Sequence, residues 1–266
     1  NCSYCNCRSG WDHEVSYVNT PAELAMMGVE AAKRNGHGVF ISSAIYKNAD
    51  YTQELLAETV RIMRNELDYK GYIHAKVMPG ADPALIAKTG RYANRLSINI
   101  EVAKSSGYER IAKQKNKANI LTPMGHISEQ ILAAKDEKRP FATSQITQLM
   151  AGSIDEDDRT IIKLSTALYK KYHLKRVYYT AFSYRHEAKG YESENLQMKQ
   201  TPYWRMVRLY QADRLTQLYG FSYDDVTPEN EPFLQQDIDP KAAWALRHMD
   251  LYPVEVNKAD FDTLIR

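Results

Sequence analysis

Short apolar runs rich in β-branched and aromatic residues recur along the chain, and stretches of helical periodicity fall between them. The runs are GVFISSA (38–44), YIHAKVM (72–78), LSINIEV (96–102), SQITQLMAG (144–152) and RVYYTAF (176–182). Strands joined through helix-length segments cannot pair as tight hairpins; they return by crossovers and lie parallel. This alternation implies an α/β fold with a parallel sheet, either open or curled toward a barrel. A further strand ahead of Cys2 would make LSINIEV the fourth.

Helix signals fill the gaps. Thr20-Pro21 with Glu23 forms a capping box with proline at the first helical position, and Asn35-Gly36 closes that helix. A second helix spans about 51–67, with Leu55, Val60 and Met63 apolar, and Asp82-Pro83 opens a short one ending at Gly90. Further helical stretches cover about 105–113, 124–135 and 155–171. A polar segment, 183–200, breaks the rhythm, and beyond it the pattern is helical, with Trp204–Tyr219 and Pro240–His248. We therefore divide the chain into a core (1–200) and a helical carboxy-terminal extension (201–266). The absence of an initiator methionine and the uncapped final helix NKADFDTLIR suggest a piece of a longer protein.

Sites in parallel α/β folds lie at the carboxyl ends of strands. Ser42, Ser43, Lys76, Asn99, Glu101, Gly152, Asp155 and Thr180 occupy such positions. Any one of them is equally well explained by ordinary loop polarity. His74 and Lys76 stand two apart on one strand and so share a face, where they could bind an anion, donate a proton, or be satisfied by Glu101.

With 44% hydrophobic and 26% charged residues the composition is that of a globular protein, and a net charge of +2 announces no polyanionic partner. No stretch has the apolar length of a membrane span, and the start lacks a secretory signal. All three cysteines, Cys2, Cys5 and Cys7, lie within NCSYCNC at the amino end. A disulfide framework does not fit this crowding, which points to a reducing cytoplasm. Clustered thiols suggest a soft metal. Zinc ordinarily takes four protein ligands, and no histidine pairs convincingly with these thiols. An iron–sulfur cluster held by three cysteines leaves one iron open to a small molecule.

Cys2-Ser3-Tyr4-Cys5 resembles the second half of the CxxxCxxC motif of radical S-adenosylmethionine (SAM) enzymes, with Tyr4 as the aromatic residue before the last cysteine. On that alignment the first cysteine lies three residues before Asn1 and Cys7 is additional; alternatively Cys2, Cys5 and Cys7 are the three ligands as they stand. Blocks such as GVFISSAIYKNADYT, GYIHAKVMPGA, TQLMAGSIDEDDR and RLYQADRLTQLYGF extend the resemblance over nearly the whole chain. They are similar to a branch labelled DNA modification or repair radical SAM proteins, in which the final helix runs into a helix-hairpin-helix element.

The resemblance implies a partial (β/α) barrel holding a 4Fe–4S cluster on Cys2, Cys5 and Cys7 or an upstream cysteine. Its open iron would hold SAM, and a flavodoxin- or ferredoxin-type reductant would drive cleavage to a 5′-deoxyadenosyl radical. Tyr4 would contact adenine, Asn99 and Glu101 the ribose or carboxylate, and Ser42-Ser43 the amino group, although the glycines and glutamate usual there are missing. Gly152, in a degraded GxIxGxxE segment, would admit adenine close to the backbone. His74 and Lys76 would face the substrate, a nucleic acid or nucleotide component.

Two stretches mix basic and aromatic residues, 170–179 and 203–214. The second also reads as an amphipathic helix with Trp204, Val207, Leu215 and Leu218 inward and Arg205, Arg208 and Arg214 solvated. A nucleic-acid-binding module with a structural zinc or redox site is the alternative to an enzyme. An ordinary α/β barrel enzyme with accidental terminal cysteines is a third.

Overall fold

The computed structural model describes Cys2, Tyr4, Cys5 and residues 18–183 and 200–265. Five strands, β1 (Val39–Ile41), β2 (Ile73–Lys76), β3 (Arg95–Ser97), β4 (Ser144–Ala151) and β5 (Arg176–Ala181), form one sheet in the order β1-β2-β3-β4-β5, and every pair is parallel. Consecutive order means that each crossover steps in the same direction. Crossovers of one hand then place the helices on one face and leave the other as the inside of a partial barrel. The burial pattern agrees. Val39, Ile41, Ile73, Ala75, Leu96, Leu149 and Val177 are buried on the helix side, while Phe40, His74, Lys76 and Tyr178 face the other way and remain at least partly exposed.

Helices α1 (Pro21–Asn35), α2 (Ala49–Asn65), α3 (Pro83–Gly90), α4 (Ser106–Ile111), α5 (Lys117–Asp136) and α6 (Asp158–Tyr172) fill the connections. The capping box on α1 forms as its sequence dictates, and Gly36 ends it at φ 67°. Helix α5 starts at Lys117, about two turns earlier than its apolar pattern suggests. Asn116 and Asn119 cap it reciprocally, so Pro123 falls inside the helix. Proline cannot donate to the carbonyl four residues back, that of Asn119, and the Gly80 amide bonds that carbonyl instead at 2.8 Å. The loop after β2 is thereby tied to α5.

Strand β3 is shorter than LSINIEV implies. The Thr147 hydroxyl donates to the Ile98 carbonyl at 2.8 Å and accepts from the Ile100 amide at 3.0 Å, replacing the ladder there. Pairing resumes with Glu101 opposite Leu149, so four residue steps from Ser97 match three from Ile146. This one-residue bulge ends with Glu101 at φ 64°.

Beyond residue 200 lie α7 (Tyr203–Leu218), α8 (Tyr223–Val226), α9 (Pro240–Arg247) and α10 (Phe261–Ile265). Leu209, Ala212, Leu215, Phe221, Val226, Leu234 and Trp244 belong to the same hydrophobic cluster as the sheet. The outward amides of edge strand β5 are satisfied by tyrosines: Val177 donates to the Tyr169 hydroxyl at 2.8 Å and Tyr179 to that of Tyr210 at 3.0 Å. Two assignments on α7, one inward and one solvated, need correction. Leu218 is exposed, and Arg205 is not solvated but pairs with the buried Asp158 at 2.7 Å.

Candidate active site

The described part of the terminal cysteine segment is a turn closed by the Cys5 amide on the Cys2 carbonyl at 3.1 Å. Cys2 and Tyr4 pack against the main core. The Tyr4 phenol sits against Glu101 and Cys2. Burial first, then Glu101 and Cys2, holds its proton on well above the ordinary tyrosine range. The turn therefore lies at the carboxyl end of β3, beside the bulge. Cys7 falls outside the described residues, and among the described residues no three His, Cys, Asp or Glu side chains group as a metal site. The donor chemistry present, two thiols on one turn, fits half of a thiolate cluster site.

Glu101 is buried, and its carboxylate accepts from Lys115 Nζ at 2.6 Å. Lys115 comes from the link between α4 and α5 and carries no sequence signal of its role. On the inner face beside this pair, Lys76 donates to Asn99. Burial chiefly, aided by Lys115 and opposed by Glu101, lowers Lys76 to about 8. His74 shares a hydrogen bond with Ser97 Oγ at 2.8 Å and lies against Phe40 with the rings tilted and their centroids 4.5 Å apart. Burial, then Lys76 and Arg95, lowers it to about 4, so its ring is neutral at pH 7.

Asn99, Glu101, Lys76 and Tyr4 thus converge at one place, with His74 one step deeper in the sheet. Ser42 and Ser43 are exposed in the loop after β1, and Ser43 Oγ donates to the Ala44 carbonyl at 2.6 Å. Gly152 adopts φ 79°, and a Cβ there would meet Thr201 Oγ1 at 1.9 Å. Its side-chain direction is therefore filled by the chain itself.

The carboxylate that organises this turn is Glu156, not Asp155, whose side chain is fully exposed. Glu156 accepts from the Gly152 amide at 2.6 Å and from the Ile154 amide at 3.1 Å. Burial raises its pKa against these bonds. Arg205 adds a bond to the Glu156 carbonyl at 2.8 Å while pairing with Asp158, which fixes the loop from the carboxy-terminal side. The arrangement offers thiolates for a soft metal, a fixed carboxylate and amide for hydroxyl or ammonium groups, and a weakly acidic lysine on the inner face.

No protein-family model matches this chain, and no curated protein does. Among solved structures it is similar to coproporphyrinogen III oxidase (HemN) from Escherichia coli, described as a radical SAM enzyme, with a TM-score of 0.48 and 13% identity. The match covers 81% of this chain and 49% of that one, so the chain spans about half the length of that enzyme.

Proposed function

We propose that this chain is the core of a radical SAM enzyme acting on DNA or a nucleotide component, with a cytoplasmic reductant of flavodoxin or ferredoxin type. The observation that carries the reading is the Cys2–Cys5 turn at the carboxyl end of a singly wound parallel sheet, with Tyr4 against Glu101. Cys2 and Cys5 would hold a 4Fe–4S cluster, with Cys7 or an upstream cysteine as the third ligand. When bound, that cluster supplies the electron that cleaves SAM to a 5′-deoxyadenosyl radical.

The chain's own residues would do the rest. Glu101, held by Lys115, and Asn99 would receive the hydroxyl or ammonium groups of SAM. The phenol of Tyr4, kept neutral, adds no charge beside the thiols. His74, neutral at pH 7, can donate or accept one hydrogen bond to the substrate, and Lys76 can give it a proton. The core 1–200 carries this chemistry and the extension 201–266 braces it. The DNA or nucleotide assignment is supported by the resemblance of sequence blocks such as TQLMAGSIDEDDR to the branch so labelled.

The protein made from its natural gene and purified anaerobically should take up iron and sulfide and show a broad visible absorption band. Cys2→Ala or Cys5→Ala should abolish that band while the far-ultraviolet circular dichroism stays unchanged. A colourless protein holding zinc would instead support a nucleic-acid-binding module with a structural metal.

A further inference from the structure

The inner face of the five strands combines cations and aromatic rings, with Glu101 just beyond the end of β3. In the ladder, Phe40, His74, Arg95 and Ser144 stand abreast, and Lys76 lies one pleat further along beside Ser97. None of the inward positions on the five strands is Asp or Glu. Among the described residues, neither Arg95 nor Lys76 has a carboxylate at ion-pair distance. Arg95 uses Nε on Ser144 Oγ at 3.0 Å, and its guanidinium lies 5.7 Å from the Tyr72 ring centroid. Gly38 makes room for that ring, since a Cβ there would meet Tyr72 at 2.9 Å.

Burial chiefly, and then the Lys76 and Arg95 charges, depress the His74 pKa, so positive charge on this face is mutually repulsive, with Glu101 only partly offsetting Lys76. An incoming oxyanion relieves that repulsion. Aromatic side chains flank the same place and remain open to solvent: Phe40 is 56% exposed, Tyr72 42% and Tyr178 38%. Exposed rings beside a guanidinium that makes no ion pair among the described residues suit a planar base attached to a phosphate.

We infer that this inner face is a nucleotide-binding floor, with Arg95 and Lys76 on the phosphate and Phe40, Tyr72 and Tyr178 offering faces to the base. Arg95, Phe40 and the two tyrosines are distinct from the residues assigned to the cluster and SAM. The inference rests on the proposed function only in taking the inner face as the substrate side. It does not require the metal, so it can be tested on cluster-free protein.

Calorimetric titration with inorganic phosphate, thymidine, thymidine monophosphate and a short single-stranded oligothymidylate reads it directly. Thymidine monophosphate should bind more tightly than phosphate or thymidine alone. Arg95→Gln should weaken it about ten-fold, the loss of one charge-assisted bond, and Phe40→Ala by a similar factor. Both variants should keep the parent unfolding midpoint within a few degrees. A further gain with the oligomer would identify a strand as the source of the nucleotide, and equal affinity would identify the free nucleotide. Equal binding of thymidine and its monophosphate, parent affinity in well-folded Arg95→Gln, or displacement by SAM would each overturn the inference. Absence of a cluster would overturn the enzyme reading and leave this one standing.

Discussion

Lys115 and Glu101 form the most consequential ion pair near the cysteine turn, because both are taken from water. Removing one partner of such a pair leaves a buried charge and costs about 3–5 kcal/mol. Lys115→Met should therefore lower stability by about that amount in urea unfolding. Adding Glu101→Gln should recover part of the loss, which an independent pair of sites would not do. His74 gives a pH signature. Its folded pKa of about 4 lies below the ordinary 6.5, so the unfolded chain takes up the proton first as pH falls. Stability should decline between about 6.5 and about 4, and His74→Gln should flatten that part of the profile. His74 and Lys76 were legible as a shared face because a strand alternates strictly. Lys115 and Glu156 were not, because each acts through a contact between segments distant in sequence or at a turn, where no periodicity marks them.

At the scale of elements, local signals account for most of what formed. The Thr20–Glu23 box, the Asn48 and Asp82 caps and the five apolar runs each produced the helix or strand they encode. Strand β3 departed from its pattern because Thr147, on a neighbouring strand, takes over its hydrogen bonds, and α5 because Asn116 caps it ahead of a proline. The turn after β4 depends on Gly152. Gly152→Ala must displace Thr201 and adopt an unfavourable backbone conformation, so its unfolding midpoint should fall well below that of the parent. The chain holds nineteen tyrosines against six phenylalanines, and two of those tyrosines have a structural use at the edge of β5. Tyr210→Phe strips the Tyr179 amide of its acceptor and should cost about 1–3 kcal/mol, read by thermal unfolding.

Across the whole molecule, a singly wound sheet presents one polar concave face, and the carboxy-terminal helices grip the loop at its rim. Arg205 is the clamp: it pairs with Asp158, which also accepts from the Leu234 amide at 2.9 Å. Arg205→Ala should raise hydrogen exchange in 152–157 and 232–236 together, leaving β1 and β2 protected. Reductive cleavage of SAM decides the functional reading most directly. With dithionite and SAM, the iron-loaded protein from its natural gene should release 5′-deoxyadenosine, quantified by chromatography, and the Cys2→Ala and Cys5→Ala proteins should release none. Iron-loaded protein that leaves SAM intact under reduction, or cysteine variants that cleave it at the parent rate, would contradict the assignment.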